Sequence, residues 1–178
     1  MINQQEDKDY QLLRNSLGGN ALAQKEFFAR FSKTVYAVCL RYMNNEDDAK
    51  DMLQECLIKV FQKGGEFRFE GSLEGWIRRI SVNTCLDHIK KRKLAFTEDI
   101  TDLEIAEDRA WNSTNLEYND LLKLLYQLPV GYRLVFNLYA MEGFSHAEIA
   151  GMLQISENTS KSQLFKARQW LKSKINRN

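Results

Sequence analysis

The sequence predicts an all-α protein: two small helical domains joined by a flexible acidic linker, the C-terminal one containing a helix-turn-helix. Three observations carry this. Apolar residues recur at helical spacing, with no alternating β-type run. The 178 residues include one proline and nine glycines, which punctuate long helices with few turns. Charge is segregated behind a net charge of +1. Residues 78–93 carry Arg78, Arg79, Lys90, Lys91, Arg92 and Lys93 against Asp87, net +5. Residues 94–116 carry Glu98, Asp99, Asp102, Glu104, Glu107 and Asp108 against Arg109, net −5. Residues 156–178 carry six basic residues against Glu157, net +5. Two basic surfaces joined by an acidic connector are a pattern that any function must explain.

The first domain is expected over residues 7–93. A short helix around Tyr10–Leu17 ends at Gly18-Gly19. Asn20 is placed to cap the next helix, whose inward residues are Phe27, Phe31, Val35, Val38 and Tyr42. Asn45 caps a third, with Asp48 in its first turn, where the helix dipole favours a carboxylate. Its inward face is Ala49, Met52, Leu53, Cys56 and Val60, and Lys63-Gly64-Gly65 ends it. Asp47, Asp48, Asp51, Gln54 and Glu55 make a polar, mostly acidic outer face. The loop Glu66-Phe67-Arg68-Phe69-Glu70-Gly71 then presents two aromatics beside a basic helix. Ser72 caps that helix, which runs through Leu73, Ile77, Ile80 and Thr84 to a basic tail near Lys93. Trp76, Arg78, Arg79 and Asn83 follow the loop at helical spacing, and aromatic and basic groups around a loop suit unstacked, single-stranded bases. At least one of Phe67, Phe69 and Trp76 is expected to be buried.

Residues 94–116 lose the periodicity and read as the flexible linker, with a helical turn near Leu103–Ala106. The second domain is expected over residues 117–178, a compact four-helix unit. Leu121, Leu124, Leu125 and Leu128 form one stripe, which Pro129 ends. Leu134, Val135, Leu138 and Tyr139 form another, closed at Gly143. Ser145 followed by Glu148 is a capping box, and Phe144 and Ile149 sit where a hydrophobic staple needs them. The first helix of the helix-turn-helix runs to Leu153, with Ile149, Ala150 and Leu153 inward. Ser156 caps the second, whose apolar side falls on Leu164, Ala167, Leu171 and Ile175. Its other side shows Asn158, Lys161, Ser162, Phe165, Lys166 and Gln169. Cationic and amide donors there suit phosphates and base edges.

Hydrophobic content of 44% and charge of 28% are ordinary for a soluble protein. No stretch approaches 18 apolar residues, and MINQQEDKDY lacks the layout of a signal peptide. A cytoplasmic protein is expected. Cys39, Cys56 and Cys85 are odd in number and far apart, none forms a CxxC pair, and His88 and His146 complete no metal-ligand cluster. The cysteines are expected to pack, with no metal or cofactor. No nucleophile–base pair, metal cluster or phosphate loop is present, so no catalytic residues are assigned and an enzyme is not expected.

Three segments in order resemble the extracytoplasmic-function (ECF) sigma factors of bacterial RNA polymerase, over nearly the whole chain. DDAKDMLQECLIKVF is similar to the family's polymerase-binding helix. FRFEGSLEGWIRRISVNTCLDHIKKRK is similar to its promoter-melting and −10-reading segment. LPVGYRLVFNLYAMEGFSHAEIAGMLQISENTSKSQLFKARQWL is similar to its −35-reading domain. The resemblance implies that Asp48, Asp51, Gln54 and Glu55 face the large polymerase subunit, where carboxylates pair with arginines. It implies that the loop from Phe67 through Phe69 to Ser72 holds a base flipped from the −10 element. Asn83, with Arg78 and Arg79, would hold the opened strand and the duplex edge. Asn158, Lys161, Ser162, Phe165 and Lys166 would meet the −35 major groove, with Gln163 and Arg168 on phosphate. The acidic linker would thread the RNA exit channel. Core RNA polymerase, promoter DNA and an anti-sigma factor, often a membrane protein, are the implied partners, with no membrane insertion of this chain itself. Two residues depart from the family pattern. Gln154 stands in the turn where Gly is frequent, at a cost of roughly 1 kcal/mol if φ is positive. Gln163 stands where Arg is frequent, which leaves the −35 sequence open.

A stand-alone helix-turn-helix regulator with a helical sensing domain is the other reading. It would use the same DNA helix, but would not need the loop aromatics, the acidic third helix or the acidic linker.

Overall fold

The computed structural model describes residues 4–43, 45–95 and 116–175. Among them every regular element is helical. The chain divides into two compact units, Met1–Thr97 and Glu98–Asn178. Residues 96–115, most of the expected linker, and with them the turn expected near Leu103–Ala106, lie outside the described residues. Among the described residues no helix is long and apolar enough to cross a membrane.

Unit 1 contains α1 (Gln4–Leu17), α2 (Ala21–Tyr42), α3 (Glu46–Lys63) and α4 (Leu73–Ala95). α2 is the central helix and packs against the other three, and α3 also packs on α4. The caps form as the sequence suggests. Asn20 accepts from Ala23 N–H at 3.1 Å, Asn45 from Asp48 N–H at 2.7 Å, and Ser72 from Gly75 N–H at 3.2 Å. Phe27, Phe31, Val35, Val38 and Tyr42 are all buried. The Phe27 ring lies 4.6 Å from Phe31 and 5.1 Å from Phe61. Burying each such ring contributes about 1.5–3 kcal/mol.

Two expectations for unit 1 need correction. α1 begins at Gln4, one and a half turns before Tyr10. On α3, Leu53 is half-buried and Leu57 takes the core position. α3 ends at Lys63 as expected, with Gly64 as its C-cap at an ordinary right-handed φ of −56°. Leu17 packs closely over it: a Cβ there would lie 2.6 Å from Leu17 Cδ2, so a larger residue would make that side chain swing aside.

The cysteines are buried, as expected, and they also meet. Far apart in the chain, Cys39 of α2, Cys56 of α3 and Cys85 of α4 bring their Sγ atoms within 4.8 Å of one another, all buried. Hydrogen bonding divides their protons unequally. The thiols of Cys39 and Cys85, helped by the Ser81 and Thr84 hydroxyls, hold the Cys56 thiol below its ordinary value. Cys39 and Cys85 are raised, chiefly by their bonds within the trio.

Unit 2 contains α5 (Leu116–Tyr126), α6 (Val130–Phe136), α7 (His146–Leu153) and α8 (Glu157–Ile175). α8 packs against α5, α6 and α7. Leu125, Leu128, Ala167 and Leu171 form its core, flanked by Leu121, Leu124 and Trp170. α6 runs into a π-helical turn, Asn137–Met141, where Glu142 N–H reaches Asn137 O at 3.0 Å. That wider turn shifts the register. Leu138 stays fully buried, while Tyr139, expected inward from α-helical spacing, is 36% exposed. Ile175 is likewise 60% exposed, because the buried stripe of α8 runs Ser160, Leu164, Ala167, Leu171 and stops one turn earlier.

Candidate nucleic-acid interface

The loop ahead of α4 is shaped by an aromatic cluster. Phe67 is its centre: 6% exposed, with ring centroids 5.6 Å from Tyr10, 5.1 Å from Phe69 and 5.2 Å from Trp76. The loop therefore does not expose two aromatics. Phe67 is core, and burial of at least one of the three rings is borne out. Phe69 is half-buried, with its backbone left-handed at φ 58°. A non-glycine residue there costs about 1–2 kcal/mol. The conformation is held by Tyr10 against its ring at 5.4 Å, by the Arg14 guanidinium 4.2 Å over its face, and by the Tyr10 hydroxyl donating to Gly71 O. Such stored strain concentrates at functional sites.

Beside the cluster lies an open cleft of about 400 Å³, lined by Glu66, Phe67, Arg68, Glu70, Ser72, Gly75, Trp76 and Arg79. An aromatic wall with cationic and carboxylate edges can stack one base and read its polar edge. Ser72 and Arg79, both singled out from sequence, line it. Arg78 is half-buried and Asn83 is exposed further along α4. The sequence missed Tyr10 and Arg14, which sit more than 50 positions upstream and carry no local signal.

On α3, Asp51 and Gln54 are exposed. Glu55 pairs with Lys59 at 3.3 Å. Asp48 is half-buried, accepting from Asn45 Nδ2 at 2.9 Å and pairing with Arg92 at 3.4 Å. Ile58, 56% exposed, continues the Asp51–Gln54 row one turn on and was not anticipated. Exposed ion pairs of this kind contribute little, so the carboxylates remain exchangeable.

The helix-turn-helix forms as expected. Ser145 accepts from Glu148 N–H at 3.2 Å, and Glu148 accepts from Ser145 N–H at 3.0 Å. Gln154, the C-cap of α7, is left-handed at φ 57°, ψ 45°. Ser156 accepts from Thr159 N–H at 3.0 Å and starts α8. Asn158, Lys161, Ser162, Lys166, Arg168 and Gln169 are exposed, and Phe165 is 61% exposed. Gln163 differs: it is half-buried, with its amide across Gly131 of α6, where a Cβ would meet Nε2 at 3.1 Å. The Arg168 guanidinium lies 5.6 Å from the Tyr139 ring, which stacks on His146 at 4.6 Å. His146 Nδ1 in turn bonds the buried Ser160 hydroxyl at 2.9 Å. This chain ties α7 to α8 and fixes the angle at which α8 is presented.

Two family models match the chain in order: Sigma-70 region 2 over residues 27–94 and Sigma-70 region 4 over residues 118–171. The ECF RNA polymerase sigma factor SigM of Mycobacterium tuberculosis is 30% identical over 164 residues, spanning 92% of this chain and 82% of the relative. The chain belongs to the ECF RNA polymerase sigma factors. The ECF RNA polymerase sigma-E factor of Escherichia coli is 25% identical over 180 residues, 94% of each chain. The fold is shared with the sigma factor RpoE of Bartonella quintana, solved in complex with the anti-sigma factor NepR. The TM-score is 0.58 at 23% identity, over 85% of this chain and 96% of that one. In this sigma factor the region 2 match takes in the acidic face of α3, the strained loop and α4. The region 4 match takes in α7 and α8 as far as Leu171.

Proposed function

We propose that this sigma factor works in the cytoplasm as a dissociable specificity subunit, by binding alone and without chemistry of its own. Residues 7–93 dock on core polymerase and open the −10 element, residues 94–116 are the acidic linker, and residues 117–178 read the −35 element. Asp48, Asp51, Gln54 and Glu55 meet arginines of the polymerase, and exposed Ile58 supplies an apolar centre to that contact. The cleft beside the loop takes a flipped base against Phe67 and Trp76, with Ser72 and Arg79 at its polar edge. Phe69 braces the loop against Tyr10 and Arg14. Arg78 and Asn83 follow the opened strand. From α8, Asn158, Lys161, Ser162, Phe165 and Lys166 enter the major groove, with Arg168 and Gln163 at its rim.

The observation that carries the reading is the pairing, in a member of this family, of an exposed basic helix face with a strained aromatic cleft. Reconstitution with core polymerase followed by run-off transcription on a promoter library tests it. Transcripts that require this chain, from start sites sharing −35 and −10 sequences, are expected. A chain that shifts duplex DNA as a dimer and leaves core polymerase unbound would replace the reading with a stand-alone regulator. Asp51→Lys is expected to weaken capture of core polymerase in a pull-down, and undiminished capture counts against the α3 assignment. An anti-sigma factor is a further proposed partner, supported by the complex in which the fold relative RpoE was solved.

A further inference from the structure

We propose that Cys39, Cys56 and Cys85 form a buried three-sulfur site for a soft, thiophilic metal ion, with Cu(I) the ion it fits best. One sulfur comes from each of α2, α3 and α4, the helices that pack on one another in unit 1. The three Sγ atoms lie within 4.8 Å of one another, and the Cys39–Cys56 pair is 3.9 Å apart. A centre equidistant from three sulfurs at the shorter spacing sits about 2.3 Å from each, which is an ordinary metal–thiolate distance. Small rotations would bring the longer edges in. A disulfide needs sulfurs about 2.05 Å apart and can use only two of the three.

The donor set chooses the ion. Among the described residues the cluster holds sulfur alone, with no histidine or carboxylate joining it. Structural zinc sites take four ligands, whereas soft sulfur donors select Cu(I). All three cysteines are 0% exposed, so the site is shielded from water. The metal ligand is the thiolate, so loading releases the three thiol protons to solvent and tightens as pH rises. Met52, 2% exposed and one turn before Cys56 on the same buried face of α3, places a thioether in the same part of the core. Because the ion would bridge three helices, it would clamp unit 1. Entry requires the helices to part transiently.

The test uses the full chain, reduced and anaerobic, titrated with Cu(I) buffered by a competing chelator. One copper per chain by native mass spectrometry is expected, with the luminescence of a solvent-shielded Cu(I)–thiolate centre. The unfolding midpoint should rise by roughly 10 °C when free ion exceeds Kd a hundredfold. Zn(II) should bind at least about tenfold more weakly, for want of a fourth ligand. Cys39→Ala, Cys56→Ala and Cys85→Ala should each abolish the luminescence while metal-free run-off transcription persists. Should a variant fail to fold, alkylation of the wild-type chain decides: Cu(I) must protect all three cysteines together. Copper that leaves their reactivity unchanged, that binds the alanine variants equally, or that lowers the unfolding midpoint would overturn the site and leave three packed thiols.

Discussion

The outer face of α8 and the loop ahead of α4 are both proposed to meet promoter DNA, yet they are built by different means. α8 presents Asn158, Lys161, Ser162, Phe165 and Lys166 from one helix whose other side is anchored by Leu164, Ala167 and Leu171. Each outward side chain can change without disturbing the rest. The loop takes its shape from Tyr10 and Arg14 of α1, Phe67 at its own base and Trp76 of α4. There the binding wall and the folding core are the same atoms. A helix face thus offers separable contacts, whereas a strained loop offers one cooperative unit.

Substitutions sharpen or break that contrast. Phe67→Ala should have the largest effect, about 3–5 kcal/mol of unit 1 stability, because it empties the centre of the cluster. Urea unfolding reads this directly, and a loss below about 1 kcal/mol would mean that the cluster is not structural. Phe69→Ala comes next. Losing the ring that braces the strained loop against Tyr10 and Arg14, contacts worth about 1–3 kcal/mol together, should lower promoter opening by about tenfold or more. Permanganate footprinting should show weaker melting with closed-complex formation retained, and equal loss of both would merge loop and helix into one role. Lys161→Ala and Lys166→Ala should each weaken −35-dependent transcription a few-fold, lower the salt dependence of binding by about one unit of slope, and leave core binding intact. If both variants transcribe like wild type, the α8 face is misassigned. Gln154→Gly is the smallest, a gain of up to about 1 kcal/mol in unit 2 from relief of the left-handed backbone. Equilibrium unfolding measures it, and −35 reading should not change.

The elements that were legible share one property: their signals are local. The caps at Asn20, Asn45, Ser145 and Ser156 act within one turn of themselves, so the sequence pattern and the structure agree. The α8 face follows from a period of 3.6 residues and the apolar positions opposite it. Where the period changed, the reading failed. The π-helical turn at Asn137–Met141 has no local signature, and it moved Tyr139 from the expected core to the surface, where it meets His146 and Arg168.

By itself, the sequence determined the helical class, the order of the helices, their caps and the outward face of α8, because these depend on contacts between near neighbours. Family membership followed from three motifs in order. Only the tertiary structure decided that Phe67 supports the loop from within, that Gly64 lies against Leu17, that Gln163 lies over Gly131, and that three cysteines meet in one core. Each of these joins residues from different elements, and how closely two helices approach depends on every side chain between them, which no local period records.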